Sequence, residues 1–149
     1  MADNYQLFSQ VISELIPKER AWLKRMLECQ QPAKLQAAGF DLQAIEPDDW
    51  PGIAWEFIDN QLWLHGDECG NVSHVAELVR AFLARFRPNQ CWQLTWAETC
   101  SRPRIGEFSG GGVFVTATGV KFCIPHDWLR LQIKKFEQAA NSDGLAKHL

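Results

Sequence analysis

Reactive side chains crowd most densely into residues 98–112 of this chain. Glu98, Cys100, Ser101, Arg102, Arg104 and Glu107 stand there between two apolar runs, and the stretch closes with Gly110, Gly111 and Gly112. Several chemistries could use such a set. Cys100 or Ser101 becomes a nucleophile only beside a base and near donors for a developing oxyanion. His65, at the end of an expected strand of the same sheet, is the candidate base, and the glycine amides are candidate donors. Glu98 and Glu107 could work as paired carboxylates, given a defined separation. Arg102 and Arg104 could instead grip a carboxylate or phosphate through paired donors, the glycine amides completing an anion nest. Against all of these stands a plain hairpin connection, stiffened by Pro103, in which Glu98 or Glu107 pairs with an arginine.

Weighing the chemistries favours binding over catalysis. A cysteine at a strand end is more often a small buried hydrophobe than a nucleophile. A small-molecule enzyme using Cys100 or Glu98, with His65 as partner, is therefore the alternative reading. The glycines form no phosphate loop, because they lead into a strand and no GK[ST] follows them. His65, Asp67, Glu68 and Cys69 cluster before His74, and Cys123 lies near His126, yet neither group has a zinc spacing. No metal and no cofactor is expected. Arg80, Arg85, Arg87, Arg102 and Arg104, with sheet tryptophans stacking bases, give a second alternative, a single-stranded nucleic-acid binder. The net charge of −3 offers such a ligand no general attraction. The favoured reading is an interaction protein. Its contact surface would be the 98–112 loop together with the 65–71 loop, contributed by Ser101, Arg102, Arg104, Glu107, Gly110, Gly111 and Gly112. Its partner is expected to be another protein, since Trp and Arg are favoured interface residues. A homo-oligomer is compatible with the sequence.

These loops need elements to hold them. The 149 residues suit one domain, and 46% apolar with 22% charged residues is a globular composition. The reading divides that domain into an N-terminal helical segment packed on the body (1–30), an α+β core (31–140) and a frayed tail (141–149). The apolar positions Leu7, Phe8, Val11, Ile12 and Leu15 predict a helix over 4–15. Pro17 suits the first turn of a second helix, running to about Gln30. Residues 31–52 read as an irregular connector whose Trp50 tucks back onto the body. A hairpin follows, strands 53–58 and 62–66 around Asp59-Asn60-Gln61. Asn71 or Ser73 caps a helix whose stripe is Val75, Leu78, Val79, Phe82, Leu83 and Phe86.

From Cys91 the chain alternates: Trp92, Leu94 and Trp96 on one face, Gln93, Thr95 and Ala97 on the other. Continued, that parity puts Glu98 and Cys100 on the tryptophan face. A partner strand occupies 112–119, and residues 120–124 either continue it or form a last short strand. Pro125 opens a terminal helix with Trp128, Leu129, Ile133 and Phe136 turned inward. The expected fold is α+β, a mainly antiparallel sheet of about four strands with helices on one face. Five scattered cysteines, no signal-peptide order near Met1 and no run able to span a membrane point to a cytoplasmic protein with reduced thiols.

The segments "LWLHGDECGNVSHVAELVRAFLARFRP" and "LTWAETCSRPRIGEFSGGGVFVTA" together resemble a family of small uncharacterised bacterial and mobile-element proteins. The corresponding loop of that family resembles T-C-S-K-P-R-x-G-E-F-G-G-G. The resemblance spans about residues 61–118. This chain departs from it with Arg102 for Lys, Ser109 for Gly, and "HGDECG" where an acidic pair plus Gly is more usual. It implies a shared fold and a shared surface and brings no established activity.

Overall fold

The first element overturns the sequence expectation. In the computed structural model, which describes residues 4–67, 70–100 and 109–148, Asn4–Ile12 is a strand, β1, and not the helix expected over 4–15. The spacing of Leu7, Phe8, Val11 and Ile12 fits either element. β1 runs inside the sheet, with Phe8 and Ile12 buried on one face and Leu7 and Val11 half-buried on the other. A strand with apolar residues on both faces loses the apolar-polar alternation that would reveal it.

Helices α1 (Pro17–Leu27) and α2 (Pro32–Ala37) follow, then the hairpin β2 (Ala54–Ile58) and β3 (Gln61–Gly66). Next come α3 (Val72–Phe86), the meander β4 (Cys91–Cys100), β5 (Ser109–Thr116) and β6 (Gly119–Cys123), and finally α4 (Pro125–His148). All strands join one antiparallel sheet in the order β2-β3-β1-β4-β5-β6. The class is the expected α+β, with six strands among the described residues rather than about four. β1 is the unforeseen addition, and of the two outcomes left open for residues 120–124 the last short strand, β6, is the one formed.

β1 pairs with β4 over residues 4–7 and with β3 over 8–12. Where it leaves β4, side chains close the seam. The Gln10 carboxamide accepts from the Val11 N–H (2.9 Å) and donates to the Gln93 carbonyl (3.3 Å), while the Trp92 indole donates to the Val11 carbonyl (3.0 Å). Backbone groups that a diverging ladder would strand are thereby satisfied.

The α3 helix starts where its cap predicts: the Asn71 side chain accepts from the His74 N–H at 3.1 Å. It lies over β4, β5 and β6, burying Val75, Leu78, Val79, Phe82 and Leu83 with Leu94, Val113 and Val115. Trp22 of α1 meets Phe82 and Phe86 of α3 and Phe40 of the connector. The connector does tuck back: Trp50 is buried, and its indole donates to the Met26 carbonyl at 2.8 Å.

α4 contradicts the expectation of an inward stripe. Trp128, Leu129, Ile133 and Phe136 are all exposed, and the helix meets the body chiefly at β5. An apolar stripe reports that a helix has a face to cover, not that its own chain covers it. The backbone stays helical to His148, through most of the stretch read as a frayed tail.

Candidate functional site

The parity of β4 survives to its end. Ladder partners share a face, so Gln6, Glu98 and Ser109 form a polar row across β1, β4 and β5 on the α3 side of the sheet. Trp96 lies one row inward, its indole 3.4 Å from the Glu98 carboxylate and its ring edge-on to Phe122 (6.2 Å, 77°). Beneath that ring is Gly111. A Cβ there would stand 2.6 Å from Trp96 ring carbons and 2.7 Å from the Cys123 carbonyl. The glycines expected to form a nest are therefore strand residues: Gly110, Gly111 and Gly112 pair with Ala97, Trp96 and Thr95. Gly111 is there because a tryptophan lies on it.

Opposite the aromatic row stands the first turn of α3. Its position is fixed by His74, which is fully buried: Nε2 accepts from the Glu46 N–H (2.8 Å), and the Nδ1 hydrogen bond runs to the Pro51 carbonyl (3.0 Å). Because an N–H points at Nε2, the proton sits on Nδ1. Gly52 turns the chain there with φ +60°, where a Cβ would meet Asp49 at 2.7 Å, and its carbonyl accepts from the Asn71 N–H (3.0 Å). Gly66 and Gly70 both lie against the Phe8 ring, which brings the turn after β3 back onto the sheet.

Between these walls lies a hollow of about 590 Å³, within the size range of ligand sites. One wall is apolar (Trp96, Phe122, Ile124). The other sets Asp49, Asn71 and Ser73 beside Ile53 and Val72, with Gln6 at the sheet end. Of the two loops expected to form the contact surface, Gly70 and Asn71 of 65–71 line the hollow, and none of the described residues of 98–112 does. Gln6 was illegible because its strand read as a helix. Asn71 and Ser73 were legible only as caps.

The catalytic candidates do not converge. Glu98 and Cys100 share the α3 face of β4, whereas His65, paired with Ser9 and Ala54, projects from the opposite face. There its ring stacks on Trp63 (3.7 Å, 19°) and its Nδ1 lies 3.3 Å from Asp67. The sheet itself separates His65 from the thiol. Of the helix arginines, Arg85 is exposed beside the Phe86 ring, whereas Arg87 and Arg80 are committed. Arg87 grips the buried Glu19 with Nε and Nη2 (3.0 and 3.1 Å) and donates to the Ser13 and Glu14 carbonyls. Arg80 pairs with Glu77 and donates to the Gly39 carbonyl (2.7 Å).

Burial alone would raise the Glu19 carboxyl. The Arg87 hydrogen bonds, the Ile16 amide and nearby cations outweigh it and hold the group below the usual carboxylate range. At Glu77 burial wins, aided by Asp41, and pushes the carboxyl up despite Arg80. Among the described residues no three His, Cys, Asp or Glu side chains gather as a metal site. Ser101, Arg102, Arg104 and Glu107, with Glu68 and Cys69, lie outside the described residues. Compared with known proteins, the chain matches no family model, no curated protein and no solved structure.

Proposed function

We propose that this protein acts by binding a segment of another protein, seated in the hollow between the Trp96–Phe122 wall and the first turn of α3. The observation that carries the reading is the composition of that hollow: an aromatic wall facing hydrogen-bonding side chains, both held on regular elements. Such a surface suits an apolar anchor flanked by polar backbone. The Asp49 carboxylate in its lining, and the Glu98 carboxylate hydrogen-bonded to the Trp96 that lines it, disfavour an anionic ligand, which counts against the nucleic-acid alternative, as does the engagement of Arg80 and Arg87. The enzyme alternative loses its base, because His65 faces away from Cys100. The loop resemblance to small bacterial and mobile-element proteins enters as part of this proposal, with a cytoplasmic setting that keeps the cysteines reduced. Arg102 and Arg104 join it on the sequence alone, as residues of the segment linking β4 to β5.

A photo-crosslinking side chain at Ser73, compared with one at the distant Lys34, tests the reading in cells. One discrete protein adduct is expected at position 73 and none at 34. The double substitution R102A/R104A should abolish that adduct while leaving thermal stability within about 1 kcal/mol. Equal adducts at both positions, or none at 73, would overturn the proposal. A collapse of melting in the double variant would make the loop structural.

A further inference from the structure

The 24-residue α4 is about 36 Å long, yet it meets the body chiefly at β5. Leu129, Ile133, Phe136 and Ala140 recur at intervals of four, three and four, which places them in one narrow stripe. Leu129 is 49% exposed, Ile133 57% and Phe136 75%. Those three side chains leave on the order of 400 Å² of apolar surface in water, as much as the largest patch on a typical monomer. An isolated helix carrying such a stripe is stabilised mainly by whatever covers it.

The flank of the stripe indicates the occupant. Arg130 and Glu137 lie seven residues apart along the same side, and their midpoint falls beside Ile133. Two antiparallel copies of α4 crossing at Ile133 would bring Arg130 of each opposite Glu137 of the other, twice across one two-fold axis. In a parallel pair the two flanks would lie on opposite sides of the seam, and Arg130 and Glu137 would face the partner's uncharged Gln132 and Ala139 flank instead. Arg130 is free to make that contact, since its bond to Asp127 is long (3.5 Å) and both side chains are largely exposed. A self-complementary charge pattern centred on an apolar stripe is the signature of an isologous contact.

We infer that the chain forms a homodimer through antiparallel pairing of α4, on a surface separate from the hollow. Trp128 and Leu131 fall on the other side of the helix and take no part. Sedimentation velocity across a concentration series reads the state directly. The wild-type chain should sediment at twice the chain mass, and I133D/F136D at the chain mass, with hydrogen-exchange protection of the sheet amides retained because neither side chain is in the core. Arg130→Glu alone and Glu137→Arg alone should each weaken the dimer roughly tenfold, and the double reversal R130E/E137R should restore it. A chain that stays monomeric at high micromolar concentration would refute the inference. So would a dimer indifferent to I133D/F136D, or charge reversals that fail to rescue each other, as a parallel pair or a different interface would give.

Discussion

Single atoms decide several positions here, and glycine shows it best. Gly111 and Gly112 are neighbours in β5 with the same backbone role. Yet a Cβ at 111 meets the Trp96 ring at 2.6 Å, whereas at 112 the nearest atom is 3.7 Å away. Gly111→Val should therefore cost about 2–3 kcal/mol through overpacking, read as a lower urea midpoint at constant slope. Gly112→Ala should cost well under about 1 kcal/mol. Equal tolerance at both positions would mean that Trp96 does not lie on Gly111. A run of glycines in a strand marks a place of close backbone approach, although the sequence offered these amides as an anion nest. What approaches, a tryptophan of the next strand and not a ligand, depends on the β4–β5 register. His74 makes the same point: as a sequence feature it joins a loose metal-like cluster, and in the fold both its nitrogens serve the backbone.

At the scale of elements, one ion pair joins three of them. Arg87 at the end of α3 reaches Glu19 in the first turn of α1 and the Ser13 and Glu14 carbonyls after β1. Arg87→Met would leave the Glu19 carboxylate buried without its cation, at a cost of about 3–5 kcal/mol. Denaturant unfolding of the variant checks this, and a loss below about 1 kcal/mol would show that Glu19 finds water instead. The hairpin, α3 and the β4 alternation were all legible, because each has one covered and one open side. β1 was not, since an interior strand and an amphipathic helix can share one apolar spacing. That misreading concealed Gln6 and with it one end of the hollow.

For the whole molecule, the two buried carboxylates set opposite acid responses. Glu19 has a folded pKa below its unfolded value near 4.5, so its contribution is complete above that pH and is lost as pH falls through the folded value. Glu77 has a folded pKa above 4.5, so its ionisation penalises the fold as pH rises from 4.5 through the folded value. Urea midpoints measured from about pH 3 to pH 7 should show Glu19→Gln flattening the loss of stability on the acid side and Glu77→Gln removing the fall in stability as pH rises above 4.5. If either substitution flattens the other side, the burial of these groups is misassigned. The sequence by itself determined the α+β class, the capped α3, and the face of Trp92, Leu94 and Trp96, because periodicity and capping are local. Tertiary structure alone decided that β1 enters the middle of the sheet, that His65 and Cys100 stand on opposite faces, that Arg80 and Arg87 are spent inside, and that α4 is left uncovered. Those outcomes depend on which strands pair and in what register, and residues far apart in the chain settle that only when they meet.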